Sequence, residues 1–118
     1  LNLQYGDTFE EVNDLKSKHK IDIIELEEVD KFSDIDSLAS LTNACDIVVT
    51  IENITFALAG GLGIESKILL SQNCLWFNGQ NELKSYWFKN QALFRKSTLC
   101  GWDEALKEIK KDLNFNLG

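Results

Sequence analysis

The chain has 118 residues, enough for one domain with one hydrophobic core. Its hydrophobic content of 44% and charged content of 26% are ordinary for a globular protein. The net charge of -7 argues against non-specific binding to nucleic acid or to an anionic membrane, because both need a basic surface. No stretch reaches the roughly 20 apolar residues of a membrane-spanning helix.

The N-terminal segment predicts a strand followed by a helix. Residues 1–4 alternate leucine with a polar residue, and the turn Tyr5-Gly6-Asp7 ends this segment. The side chain of Asp7 or of Thr8 can cap a helix that we expect to run to about Lys18. Acidic residues in the first turn of this helix and lysines in its last turn suit the helix dipole.

A second strand and a second helix follow. Residues 21–26 are rich in β-branched side chains and predict a strand. The acidic stretch over residues 25–36 is either a solvated loop or a cation-binding segment. Within it, Asp34 or Asp36 is the expected N-cap of a helix with apolar positions at helical spacing.

The middle of the chain predicts a strand, a helix and another strand. Residues 46–51 form a nearly continuous apolar run, as in a parallel strand that is covered on both faces. Residues 54–62 are small and apolar and predict a helix packed closely on the sheet. Gly63 suits the C-terminal cap of this helix, and residues 67–70 predict a fourth strand.

The remaining sequence predicts an aromatic loop, a fifth strand and a last helix. Residues 72–91 are polar and aromatic without a clear period, so their aromatic side chains either fill the core or stack on a base or sugar. Residues 92–95 predict a strand, and residues 102–113 have the apolar spacing of a helix. Strands that alternate with helices predict a single α/β domain over residues 1–118, built on a parallel sheet with right-handed crossovers.

One strand-to-helix turn stands out as a candidate binding site. Ligands of open α/β sheets bind beyond the carboxyl ends of the strands, and Glu52 and Asn53 lie where a buried strand enters a helix. The unpaired N–H groups of such a helix start suit a diphosphate, Asn53 and Thr55 add donors, and Glu52 can accept from hydroxyl groups. The alternative is that Asn53 is only an N-cap. Neither the dinucleotide-binding nor the nucleoside-triphosphate glycine motif is present.

The cysteine and histidine content offers no metal site or disulfide framework. Cys45, Cys74 and Cys100 are widely spaced and odd in number, which is typical of free thiols in a reducing cytosol, so we expect a cytoplasmic protein. The one histidine, His19, leaves too few Cys and His ligands for a metal centre.

The segment DIVVTIENITFALAGGLGIESKILLS, residues 46–71, resembles the donor-site segment of heptosyltransferase-like glycosyltransferases. The variety found at the C-terminus of bacterial tetratricopeptide-repeat proteins is the most similar. The family shows an aspartate-led apolar strand, an acidic residue, Asn or Thr, Thr, a small residue, His and Leu-Ala-Gly. Further elements that resemble the family, in the same order, are Leu3–Asp7, residues 34–41, Ser85-Tyr86-Trp87, Leu93-Phe94-Arg95 and Gly101-Trp102-Asp103-Glu104.

The resemblance implies a GT-B architecture of two Rossmann-like halves. The chain would be the C-terminal half, which binds a nucleotide diphosphate-sugar without a metal or other cofactor. An N-terminal acceptor half, and with it one central strand, would precede Leu1. We therefore expect a three-layer sheet of about five strands in the order 2-1-3-4-5.

The resemblance also implies the ligand contacts. Carried over position by position, Glu52, Asn53, Ile54 and Thr55 would meet the diphosphate and the sugar. The turn Tyr5, Gly6 and Asp7 would flank the ligand. The catalytic base would belong to the acceptor half, so no catalytic residue is expected in this chain.

Three departures from the family pattern bear on activity. Ala57 replaces the usual His near the phosphates, Glu65-Ser66 follows the Leu-Gly pair in place of Pro, and Tyr86 replaces the Pro of a Ser-Pro-Trp element. The alternative function is therefore a degenerate, non-catalytic Rossmann-like module for binding or scaffolding. A flavodoxin- or response-regulator-like domain fits the strand order alone, but this chain has no phosphoacceptor aspartate paired with a downstream lysine in the expected places.

Overall fold

The computed structural model describes residues 1–117, and the side chains of residues 1–114. Two compact units form, Leu1–Cys45 and Asp46–Gly118, and each is described by itself. The elements in chain order are α1 (Phe9–His19), α2 (Ile35–Asn43), β1 (Val48–Ile51), α3 (Ile54–Leu62), β2 (Ser66–Leu70), a 3-10 turn (Trp76–Asn78), β3 (Gln91–Arg95) and α4 (Asp103–Leu117).

The first unit contains α1 and α2. The carboxylate of Asp34 accepts from the backbone N–H of Ser37 at 3.0 Å and from its hydroxyl at 2.6 Å, so Asp34, of the two predicted candidates, is the N-cap of α2. These hydrogen bonds from Ser37 hold the pKa of Asp34 below its ordinary value. At the other helix, α1 ends where Lys20 adopts a left-handed conformation with φ 53°.

The two strands predicted in the first unit do not form among the described residues. The backbone N–H of Asn2 donates to the carbonyl of Ile24 at 2.9 Å, so the two segments run beside each other at one point. Residues 1–4 and 21–26 are nevertheless assigned to no strand. A two-stranded ribbon is marginal without a third strand or a packed apolar face, and Ile21 and Ile24 are about half exposed. The prediction of five strands in the order 2-1-3-4-5 is therefore wrong for its first two strands.

The second unit contains a parallel sheet in the order β1-β2-β3. These strands are the third, fourth and fifth of the prediction, in the predicted sequence of neighbours. Val48 pairs with Ser66 at one end of the sheet, and Leu70 pairs with Arg95 at the other. The α/β class with a parallel sheet is confirmed.

The two faces of this sheet carry different partners, because successive side chains of a strand point to opposite faces. On one face, Ile68, Leu70 and Leu93 pack with Phe56 of α3 and Phe77 of the 3-10 turn to form the core cluster. On the opposite face, α4 packs against β3.

A buried ion pair joins β2 to α4. The ammonium group of Lys67, whose side chain is only 5% exposed, lies 2.6 Å from the carboxylate of Asp112 and 2.8 Å from that of Glu65. Burial by itself lowers the pKa of Lys67, but the hydrogen bonds that its ammonium group donates to Asp112 and Glu65 outweigh burial and hold this pKa above its ordinary value.

Helix α3 begins and ends where the sequence predicts. Asn53 caps its start, and Gly63 ends it in a left-handed conformation with φ 76°. The predicted close packing is seen at Gly60, where an added Cβ would collide with the ring of Phe88. A side chain at position 60 would therefore push this helix away from the aromatic loop.

No helix within residues 1–117 is both long and apolar enough to cross a membrane.

Candidate functional site

The carboxyl ends of the three strands lie at one edge of the sheet, because the strands are parallel. β1 leads into Glu52 and Asn53, β2 leads into a loop that reaches the 3-10 turn, and β3 ends at Arg95. The residues predicted to meet a diphosphate therefore lie at the edge where α/β proteins bind ligands.

Glu52 fixes the strand-to-helix turn to the loop that follows β2. One carboxylate oxygen, Oε1, accepts from the backbone N–H of Leu75 at 2.9 Å and from the side-chain amide of Asn78 at 2.5 Å. Among the described residues, no donor contacts the second oxygen. Glu52 thus has a structural role and retains one oxygen that can accept from a ligand hydroxyl.

Asn53 is the N-cap of α3. Its side-chain oxygen accepts from the backbone N–H of Phe56 and from the hydroxyl of Thr50, both at 3.2 Å. Asn53 therefore caps the helix, as the structural alternative predicts. The N–H groups of Ile54 and Thr55 are the first two in the helix, so no carbonyl group of the helix accepts from them.

The side chains of the first helical turn differ in what they can contact. The Thr55 side chain is buried, whereas the Ile54 side chain is 41% exposed. Ala57, at the position where the family pattern has His, is exposed and bears no polar group. An anion at this turn would therefore be bound by backbone N–H groups and the helix dipole rather than by side chains.

Arg95 is a cation at this edge that the sequence predictions did not name as a site residue. Its guanidinium group donates to the carbonyl of Asn78 at 2.6 Å and to that of Glu82 at 3.3 Å, and it lies 3.4 Å from Sγ of Cys74. The available signal was its place at the carboxyl end of the last strand. Arg95 and Glu52 therefore both bind the loop after β2.

Two buried polar atoms in this network lack a partner among the described residues. They are Nε of Arg95 and Oδ1 of Asn78, a residue with no exposed surface. Such atoms usually bind water or another polar group. The network joining Glu52, Asn78 and Arg95 is thus polar, partly buried and not fully satisfied.

The aromatic loop divides between core and surface. Phe77 is 8% exposed, and Phe88 packs against the core cluster. By contrast, Trp76 is 78% exposed, Tyr86 64% and Trp87 58%. Of the two predicted roles, a place in the core is observed for Phe77 and Phe88, whereas the other three aromatics lie at the surface.

Tyr5, Gly6 and Asp7 belong to the first unit. The rings of Tyr5 and Phe32 lie 5.6 Å apart at an angle of 59°, beside an open cavity of about 320 Å³ that Tyr5 and Gly6 help to line. Gly6 has φ 96°, and the carboxylate of Asp7 accepts from the N–H of Phe9 at the start of α1. Their predicted place beside the ligand remains a prediction.

All three cysteines are free thiols. Cys45 and Cys74 are half-buried, and Cys100 is exposed. The carboxylate of Glu104 beside Cys100 raises the pKa of this thiol.

Comparison with known proteins gives one partial match. No family model matches the chain, and no solved structure matches it significantly. Protein FlbA of Caulobacter vibrioides is 40% identical over 63 residues, which are 53% of this chain and 11% of that protein. Because the match spans only 11% of the relative, it shows that one segment is similar and leaves the whole protein's activity open.

Proposed function

We propose that this chain is the donor-binding half of a glycosyltransferase, which transfers a sugar from a nucleotide diphosphate-sugar to a glycan, lipid or protein acceptor. The observation that carries the proposal is the start of α3. It lies at the carboxyl edge of a parallel sheet, and its first N–H groups have no acceptor in the preceding turn. The resemblance of residues 46–71 to the heptosyltransferase-like family supports the same assignment.

The chemistry of this turn suits a leaving diphosphate. Negative charge grows on the diphosphate as the bond to the sugar breaks, and the N–H groups of Ile54 and Thr55 point their partial positive charge to that place. This stabilisation needs no basic side chain, which is compatible with a net charge of -7. Oε2 of Glu52 is positioned to accept from a sugar or ribose hydroxyl.

In this proposal the chain does not catalyse the transfer alone. The acceptor, and a base that removes a proton from it, would be supplied by an acceptor half of the same protein. The donor half orients the nucleotide diphosphate-sugar and stabilises the leaving group. No metal or other cofactor has a role in this scheme.

The second candidate is a degenerate module that keeps the fold for binding or scaffolding. Two observations favour it. Ala57 offers no imidazole near the phosphates, and the side chains of Glu52 and Asn53 bond to their own chain. Such a module would bind no nucleotide diphosphate at α3.

A titration of the 118-residue chain with UDP, ADP and GDP separates the two candidates. We expect amide chemical-shift changes concentrated in residues 52–56, measured by NMR. If none of the three nucleotides shifts these amides at millimolar concentration, the donor-binding proposal is wrong. Tetratricopeptide repeats or a second Rossmann-like half in the full-length gene would support it independently.

A single substitution tests the role of the backbone. Ile54→Pro removes one N–H group and is tolerated by a helix, because proline suits the first helical position and the preceding Asn53 is extended, with φ -147° and ψ -166°. The matched control, Ile54→Ala, shortens the same side chain and keeps the N–H. We expect Ile54→Pro to weaken nucleotide diphosphate binding about tenfold, as for loss of a hydrogen bond to a charged group. Equal affinities for the two variants would contradict the role of this N–H.

A further inference from the structure

Three aromatic rings form a ladder that starts in the first turn of α3. The rings of Phe56 and Phe77 have centroids 6.1 Å apart and planes inclined by 17°. The rings of Phe77 and Trp87 are closer, at 4.2 Å, and nearly parallel, at 6°. The three ring planes are therefore roughly parallel, and the rings follow one another from α3 to Trp87.

The ladder runs from the core to the surface. Phe56 is 3% exposed, Phe77 is 8% exposed and Trp87 is 58% exposed. Since one face of Trp87 is covered by Phe77, its exposed surface includes the opposite face. The stack therefore ends in an open indole face that a further flat ring can continue.

Trp76 lies beside the stacked pair of Phe77 and Trp87. Its ring is 5.7 Å from that of Trp87 and 5.8 Å from that of Phe77, at angles of 88° and 83°, and the side chain is 78% exposed. Two large indoles left open to solvent are costly, and exposed apolar clusters of this kind commonly mark binding surfaces. Because Trp76 is about equally far from the two stacked rings, it contacts their edges and leaves the outer face of Trp87 open.

The loop that carries both indoles is tied to the candidate diphosphate turn. Trp76 lies between Leu75 and Asn78, and both of these donate to the Glu52 carboxylate. Phe56, the inner ring of the ladder, belongs to the first turn of α3 and donates its N–H to Asn53. Glu52 and α3 therefore hold the loop that carries both indoles beside the strand-to-helix turn.

We propose that the open face of Trp87 binds the nucleobase of the nucleotide whose diphosphate lies at α3. The inference rests on the proposed function and names the base-binding surface of that same site. A base is flat and aromatic, so it extends the ladder as a fourth ring. Stacking on an indole tolerates every base, because each base has a π face.

The test uses Trp102→Phe as background, so that the remaining tryptophan fluorescence comes from Trp76 and Trp87. UDP, ADP and GDP each quench this fluorescence on binding. Trp87→Ala weakens all three nucleotides about tenfold or more, the loss expected when one base loses its aromatic partner. Trp87→Phe, which keeps a smaller ring, loses less. Leu99→Ala, at a side chain that is 94% exposed, is the matched control and leaves the affinities unchanged.

Inorganic pyrophosphate separates the base surface from the diphosphate turn. We expect pyrophosphate to shift the amides of residues 52–56 equally in the background protein and in Trp87→Ala, because it has no base. If UDP, ADP and GDP bind equally well to both proteins, the base surface is wrong and the proposed function stands. If neither pyrophosphate nor any nucleotide binds, both proposals are wrong.

The same variants also test whether the two indoles form a protein-binding surface instead. Sedimentation velocity detects self-association of the chain. Self-association that disappears in Trp87→Ala, with nucleotide affinities unchanged, would make this surface an interface and overturn the base-binding proposal. Circular dichroism and the thermal midpoint of Trp87→Ala and Trp87→Phe establish that each variant is folded.

Discussion

Glu52 and Asn78 are joined by a hydrogen bond of 2.5 Å from the Asn78 side-chain amide to the Glu52 carboxylate, across 26 positions of sequence. This bond connects the turn before α3 to the 3-10 turn that carries Trp76. The residue predicted to meet a sugar therefore also holds the aromatic loop in place.

Glu52→Ala is expected to destabilise the chain by about 1–3 kcal/mol, because the fully buried Asn78 amide loses its acceptor. Glu52→Gln keeps one side-chain oxygen at the same position and is expected to cost less. Urea denaturation at neutral pH measures both. If the alanine and glutamine variants are as stable as the parent, this hydrogen bond contributes nothing to stability.

Asn53→Ala is expected to lower the free energy of unfolding by about 1 kcal/mol, the usual loss for an N-cap. The Asn53 oxygen now accepts from the N–H of Phe56, and alanine has no acceptor. Asn53→Asp is the matched control, since a carboxylate caps a helix as well as an amide does. An alanine variant that matches the aspartate variant in stability would contradict the capping role.

Asp112→Ala is expected to destabilise the chain by about 1–2 kcal/mol, because the buried Lys67 ammonium keeps only Glu65. The loss is smaller than for fully buried pairs, since both carboxylates are partly exposed. Lys67→Met fills the same space without a buried charge and is expected to change stability by less than about 1 kcal/mol. Thermal and urea unfolding compare the two variants. A larger loss of stability in Lys67→Met than in Asp112→Ala would contradict this expectation.

The same ion pair predicts that the stability of the folded chain depends on pH in the alkaline range. The folded-state pKa of Lys67 lies above the ordinary value of 10.5, so its stabilising contribution is present below that value. It is lost as the pH rises through the folded-state pKa. Urea unfolding of the parent and of Lys67→Met across this range should show their difference changing there, and a constant difference would contradict the assignment.

Tyr86 and Glu82 are expected to titrate as a linked pair. The Tyr86 hydroxyl donates to the Glu82 carboxylate at 2.5 Å, which raises the pKa of Tyr86 above 10.0 and lowers that of Glu82 below 4.5. The Glu82 contribution to stability is present above pH 4.5 and is lost as the pH falls through its folded-state pKa. The Tyr86 contribution is present below pH 10.0 and is lost as the pH rises through its folded-state pKa.

Ultraviolet absorbance of the phenolate tests this pair in a Tyr5→Phe background, where Tyr86 is the remaining tyrosine. Glu82→Gln removes the carboxylate charge and is expected to bring the pKa of Tyr86 down toward 10.0. Glu10→Gln, a change in α1, is the charge-matched control and should leave the titration in place. An unchanged Tyr86 titration in Glu82→Gln would show that this contact does not persist in solution.

Cys100 is expected to react slowly with iodoacetamide for so exposed a thiol. The Glu104 carboxylate raises the pKa of Cys100, which reduces the fraction of reactive thiolate near pH 8. Glu104→Gln is expected to accelerate alkylation severalfold, followed by mass spectrometry of the Cys100 peptide. Glu108→Gln, one turn further along α4, is the control. Equal rates in the parent and Glu104→Gln would exclude the electrostatic effect.

The sequence predicted the elements whose signals are local. Asn53 and Gly63 correctly set both ends of α3, because an N-cap and a left-handed glycine act on their own helix. The apolar runs of β1 and β2 correctly predicted parallel strands. Coverage of both faces, predicted for residues 46–51, is wrong for β1, because the alternate side chains Val49 and Ile51 are 48% and 53% exposed. The same signal failed for residues 1–4 and 21–26, since an apolar pattern does not supply the neighbouring strand that a ladder needs.

The tertiary structure decided which distant residues meet. Only the folded chain brings Asn78 to Glu52 and Asp112 to Lys67, because the spacing of these residues follows no helical or strand period. It also placed Phe77 in the core and left Trp87 at the surface, although both lie in one aromatic loop. Side-chain burial depends on what packs from elsewhere in the chain, so local sequence determined the helix and strands around the turn, and long-range packing determined the surface beside it.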